Sequence, residues 1–237
     1  VASGLTTFFL EPEVRFLAMN PPPKIDRRAV PGALPFNGSK LMDGRPFRFI
    51  SMGDSVTSSG DYETMLLMML ERATGNRNIT FMDRAGLAAT ARDGVRRFRE
   101  IAVDADPDCA LIMYGLYDEL RLERGSYRES CRFLAENLRW QCHADTVFLT
   151  PTPHYRAPLT DAPVITDPTP PWFVLGSISA VHAIRALADE LSVPVADCYR
   201  AVWGKGGPSF DATARSSWGL YPVAVVQSMS SVLETEG

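Results

Sequence analysis

The sequence predicts a three-layer α/β/α sandwich built on a five-stranded parallel sheet. Three observations lead to it. Five short apolar runs are nearly uninterrupted, at 47–52 (FRFISM), 79–83 (ITFMD), 109–114 (CALIMY), 146–150 (TVFLT) and 193–197 (VPVAD). A strand apolar on both faces must be covered on both faces, which is the condition of a parallel sheet between two helical layers. The runs alternate with longer segments of helical periodicity, so the connections are expected to be right-handed crossovers. Finally, 237 residues with 46% hydrophobic and 22% charged side chains suffice for one sizeable core.

Taken in order, the first helix is expected over 61–75 (DYETMLLMMLERATG), with Gly60 or Asp61 able to cap it and Gly75 able to stop it. A second is expected over 90–105 (TARDGVRRFREIAVDA). The third, over 126–142 (SYRESCRFLAENLRWQC), has Ser126 as N-cap and Glu129 as capping-box partner. The fourth, over 178–192 (ISAVHAIRALADELS), leads into the last strand. Ahead of the first strand, the proline-rich stretch 20–35 (NPPPKIDRRAVPGALP) reads as an extended surface arm outside the core. The domain is therefore expected over 45–237, with a stem and arm over 1–44. The irregular stretch 150–173 has the length of a lid or binding loop.

A net charge of −4 argues against a nucleic-acid or anionic-membrane surface and leaves small neutral or acylated ligands open. The four cysteines, Cys109, Cys131, Cys142 and Cys198, contain no C-x-x-C pair and read as buried free thiols. No His/Cys/Asp cluster has metal-ligand spacing, and the glycines of 203–210 (WGKGGPSF) neither follow a strand nor open a helix, so neither a metal nor another cofactor is implied. No apolar stretch reaches the roughly 18 residues that span a bilayer. The chain as given reads as soluble. Its first residue is Val1, and the segment 5–17 (LTTFFLEPEVRFL) looks like the stem that follows an anchor or targeting segment. A membrane anchor upstream of Val1 and an extracytoplasmic or periplasmic location in a bacterium are the expectation.

The first apolar run breaks into Gly-Asp-Ser and then small hydroxyl residues, FISMGDSVTSSG. In an open parallel sheet, ligands bind in the crevice beyond the carboxyl ends of the strands. Ser55 falls there, and Gly86, Gly115 to Asp118, Thr152 to His154 and the residues after Asp197 converge on the same edge. At GDSVT (53–57) the sequence resembles the SGNH, or GDSL-type, hydrolases, and block order and spacing extend the resemblance over about residues 45 to 235. It implies a flavodoxin-like sheet and hydrolysis of acyl esters, with Ser55 as nucleophile and its own N–H as one oxyanion donor. The second block, DRAGLAAT, puts Gly86 where that family has a further backbone donor, a group that needs no reorganisation as charge develops. The third block reads GLYD, so Tyr117 occupies the position of the usual asparagine. The last block aligns with WGLYPVAVVQSMSSVL, which sets Trp218 at the aspartate position and Tyr221 at the histidine position.

A serine hydroxyl reacts poorly unless a base takes its proton. Of the three histidines, His182 lies within a helical pattern and His143 precedes the fourth strand, at the edge away from the crevice. His154 follows the carboxyl end of that strand, with Asp161 and Asp167 in the same loop to orient it. It reads either as a relocated base or as a polar loop residue. Asp54 and Asp118 likewise read as substrate-binding groups or as turn and cap residues. Two functions follow. One is a serine esterase or deacetylase acting on acyl esters, including acetylated carbohydrate, through Ser55, Gly86 and His154. The other is a silent protein whose Tyr117, Trp218 and Tyr221 form an aromatic floor for an acylated glycan or a partner protein. A flavodoxin-like or receiver-type module has no chemical reason to carry Gly-Asp-Ser with Gly86 at the next strand end.

Overall fold

The computed structural model describes residues 33–58, 62–120, 124–151, 178–203 and 229. Five parallel strands form one sheet in the order β2-β1-β3-β4-β5: β1 Phe47–Gly53, β2 Ile79–Asp83, β3 Cys109–Met113, β4 Asp145–Leu149 and β5 Val195–Ala196. The strands fall where the apolar runs predict them. Along β1, β3 and β4 successive side chains enter opposite cores. Phe47, Phe49, Leu111, Val147 and Leu149 face one side; Ile50, Met52, Ala110, Ile112 and Phe148 face the other. A period of two with both phases apolar is what two-sided burial demands.

Helix α1 (Gly38–Met42) contributes Leu41 to the first core, and helix α3 (Tyr62–Thr74) contributes Met65, Leu66, Met69 and Leu70. Between them in the chain lies the short α2 (Ser55–Ser58). Gly75 ends α3 in the left-handed region (φ +75°) and donates its N–H to the Glu71 carbonyl, the capping geometry glycine adopts at least cost. The opposite core is roofed by α4 (Ala91–Arg96), α5 (Phe98–Ile101), α7 (Arg124–Asn137) and α8 (Ile178–Leu191). Two smaller helices, α6 (Leu116–Leu120) and α9 (Cys198–Trp203), follow β3 and β5.

Three expectations need correction. The single helix over 90–105 is two α-helices and a 3-10 turn, broken at Arg97; Thr90 caps the first through a full capping box with Asp93. The helix expected to start after Ser126 already runs from Arg124, so Ser126 lies inside its first turn; Tyr127 docks that turn by donating to the Tyr114 carbonyl at 3.1 Å. It also ends at Asn137, and 138–142 form a π-turn closed by His143 at φ +52°.

The end of the proline-rich arm is not outside the core. Leu34 and Leu41 are fully buried, each worth about 1.5–3 kcal/mol. Carboxylates at the amino-terminal edge of the sheet hold this stretch in place. Asp145 accepts the N–H groups of Phe36 (3.0 Å) and Asn37 (2.8 Å), and Asp108 accepts the Arg48 N–H (2.7 Å) and pairs with Lys40 (2.5 Å). Residues 33–44 therefore pack as part of the domain expected to begin at 45. The stretch 150–173 lies outside the described residues, apart from Thr150 and Pro151.

Candidate active site

Strand β1 lies between β2 and β3, and the chain leaves it to one side for β2 and returns on the other as β3. The strand order therefore reverses at β1, the place where such sheets open a crevice at their carboxyl ends. Gly53 ends β1, and the close approach of two neighbours fixes its identity. A Cβ there would lie 2.0 Å from Thr57 Oγ1 and 2.5 Å from the Met113 carbonyl oxygen. The chain then turns sharply: Asp54 accepts the Val56 N–H at 2.9 Å through Oδ1, and its carbonyl accepts the Ser58 N–H. That turn leaves Ser55 half-buried at the first position of α2.

Across the reversal, Gly115 follows β3 with φ +130°, and a Cβ would meet Ala180 and Pro151 at 3.0 Å. Its N–H donates to Asp118 Oδ2 at 3.1 Å, while Asp118 Oδ1 accepts the Ala91 N–H at 3.0 Å. Asp118 thus ties the turn after β3 to the start of α4. The turn so held carries Tyr117 to the serine: the Ser55 hydroxyl donates to the phenol oxygen at 3.1 Å. Residues of the first and third sequence blocks thus meet at this corner.

Gly86 lies beside this corner in a different role from the one expected. The β1–β2 ladder continues past β2, with Arg84 N–H on the Ser51 carbonyl (2.9 Å) and Gly86 N–H on the Gly53 carbonyl (3.0 Å). The N–H expected to receive an oxyanion is thus engaged by the strand that carries the nucleophile. Asp54 and Asp118 are each 1% exposed, and their carboxylates are turned to backbone N–H groups, which matches turn and cap residues and not substrate contacts. Burial pushes the Asp54 carboxyl up to about 7, helped by the nearby Asp118 charge and opposed by the Val56 N–H.

His143 sits at the amino-terminal edge and His182 is exposed on α8, as the sequence implies. His154, Asp161, Asp167, Trp218 and Tyr221 lie outside the described residues. One supporting residue had no sequence signal. Buried Glu119 accepts from the Ser179 hydroxyl and, at 3.1 Å, from the Ala180 N–H, so it ties α6 to the first turn of α8. Among the described residues no three His, Cys, Asp or Glu side chains group as metal ligands, and no helix is long and apolar enough to cross a membrane.

Comparison with solved structures decides the fold. A lipase/acylhydrolase from Enterococcus faecalis superposes with a TM-score of 0.57 at 17% identity, covering 81% of this chain and 100% of its own. An acetylxylan esterase from Geobacillus stearothermophilus superposes with a TM-score of 0.61 at 17% identity, covering 80% and 95%. A lipolytic protein of the G-D-S-L family from Desulfitobacterium hafniense gives 0.56 at 15% identity, covering 78% and 98%. This is the SGNH hydrolase fold. No protein-family model matches the sequence, and no curated protein sequence does. Catalytic mutants of the Geobacillus enzyme at a serine, an aspartate and a histidine share the SGNH fold with this chain.

Proposed function

We propose that this chain is a serine ester hydrolase acting on small acyl esters, with acetylated carbohydrate as the favoured substrate class. The observation that carries the reading is the Ser55 hydroxyl, half-exposed at the sheet reversal and hydrogen-bonded to Tyr117 across it. In the reaction, Ser55 Oγ attacks the ester carbonyl carbon and its proton passes to a base. The ester C–O bond then breaks, and that proton leaves with the alcohol. Water hydrolyses the acyl-serine, releasing the carboxylic acid and restoring the hydroxyl. His154 is the proposed base, oriented by Asp161 or Asp167. Tyr117, whose phenol can both accept from Ser55 and donate, takes the place of the asparagine amide. Gly86 serves as an oxyanion donor only if its N–H leaves the Gly53 carbonyl when substrate binds.

The engaged Gly86 N–H favours a second reading, in which the crevice binds an acylated glycan or a partner protein without turning it over. The two separate in one experiment. The wild-type chain is treated with a fluorophosphonate and with p-nitrophenyl acetate, beside Ser55→Ala and His154→Ala. Hydrolysis predicts labelling at Ser55 and turnover lost in both variants; turnover that survives Ser55→Ala rejects it. An unlabelled, inactive wild type that still binds acetylated xylooligosaccharide supports the second reading.

A further inference from the structure

A cavity of about 350 Å³ opens at the amino-terminal edge of the sheet, at the opposite end of the strands from Ser55. It lies between the end of α7, the turn after α8 and the stretch that Asp145 clamps. Its volume is at the lower end of the range of small-ligand sites. Phe36, Leu191, Val193 and Pro194 give it apolar walls, and Arg139 and Thr146 also line it.

The buried acceptor and the donors around this cavity differ in how they are engaged. Both oxygens of the buried Asp145 take backbone N–H groups, from Phe36 and Asn37, while Glu136 lies at the exposed rim and faces Arg132 at 3.8 Å, an ion pair without a hydrogen bond. The donors are not engaged. Arg139 holds its guanidinium over the Phe36 ring, 5.3 Å from the centroid, and among the described residues no carboxylate pairs with it. A ring face fixes the plane of a guanidinium and leaves its N–H fork open at the edge. Thr146 is 8% exposed, on the face of β4 that also carries Phe148, and its hydroxyl has no hydrogen-bond partner among the described residues. A buried orphan hydroxyl is a standing cost that a suitable ligand removes.

We propose that this cavity binds a small organic carboxylate with a compact apolar body. The carboxylate meets the Arg139 fork in bidentate fashion, and Thr146 supplies a further donor. The apolar part lies against Leu191, Val193 and Pro194. An inorganic anion would use the cation but leave those walls wet; a neutral alcohol would use the walls but not the fork.

The test is a calorimetric titration of the full chain with sodium benzoate at fixed ionic strength, beside benzyl alcohol and inorganic phosphate. Benzoate is expected to bind saturably, each of the other two at least about tenfold more weakly, and Arg139→Gln should weaken benzoate by a similar factor. Thr146→Val is a second, near-isosteric probe that keeps the fold: it should raise the thermal midpoint of the unliganded protein, because the orphan hydroxyl is gone, while weakening benzoate. Ser55→Ala should bind benzoate as the wild type does. No saturable binding, binding indifferent to Arg139→Gln, equal binding of benzyl alcohol, or loss of binding in Ser55→Ala would each overturn the proposal.

Discussion

Asp118 at the carboxyl edge of the sheet and Asp145 at the amino edge are built alike and serve different ends. Each is buried, and each accepts backbone N–H groups from a separate part of the chain. Asp118 joins the turn after β3 to α4, and that turn carries Tyr117 to Ser55. Asp145 joins the start of β4 to residues 36 and 37, and so closes the protein around its first core. The same device positions a reactive hydroxyl at one edge and clamps the incoming chain at the other. A buried carboxylate therefore says little about chemistry until its partners are known.

Four experiments put that contrast to the test. The largest effect belongs to Ser55→Ala, which on the hydrolase reading lowers p-nitrophenyl acetate turnover by at least about a thousandfold while leaving the thermal midpoint in place. Gly53→Ala comes next. Its Cβ has no room beside the Met113 carbonyl, so chemical denaturation should show a loss of about 3 kcal/mol or more.

Third is the direct comparison. Asp118→Ala orphans two buried N–H groups and should cost about 2–4 kcal/mol together with fluorophosphonate labelling. Asp145→Ala should cost about 1–2 kcal/mol but leave the labelling rate within about twofold, since distant sites act independently. Equal loss of labelling in both variants would mean that the two edges are coupled.

The smallest effect is on pH. Burial pushes Asp54 up to about 7 and Asp145 up to about 6, from an ordinary 3.8. Between those values the folded chain holds more protons than the unfolded one, so stability falls as pH rises through the interval. Glu100 and Glu190, held below their ordinary 4.5 by Arg97 and Arg132, weaken only in more acidic solution. The thermal midpoint should therefore be higher at pH 5.5 than at 7.5 by a few degrees, on the order expected for about 1 kcal/mol. Asp54→Asn, which keeps an acceptor for Val56, should flatten the difference. A midpoint that falls on acidification, or an unchanged slope in Asp54→Asn, would contradict the burial of that carboxyl.

The strands were legible in the sequence because two-sided burial forces apolar residues into both phases of a short run. Ser55 was legible for a related reason: a strand that ends in Gly-Asp-Ser has a turn its neighbours dictate, and topology assigns that turn to the crevice. Tyr117 was placed by its spacing from Gly115. What the sequence concealed depends on long-range hydrogen bonding. Nothing local tells that the Gly86 N–H continues a ladder onto Gly53, or that Asp54 and Asp118 turn inward. Leu34 escaped because prolines dominate its surroundings, while the contact that buries it comes from strands far along the chain.

The burial of the thiols has a practical consequence. Cys109, Cys131 and Cys198 are sealed in the interior, and only Cys142, on the π-turn at the amino edge, is half-buried. Burial raises the Cys109, Cys131 and Cys142 thiols above their ordinary range, so alkylation of the native protein is slow and begins at Cys142. A maleimide dye would report from the amino-terminal edge of the sheet, opposite the edge that carries Ser55, and the appearance of a second labelled cysteine would time the opening of the interior without any optical signal from the crevice.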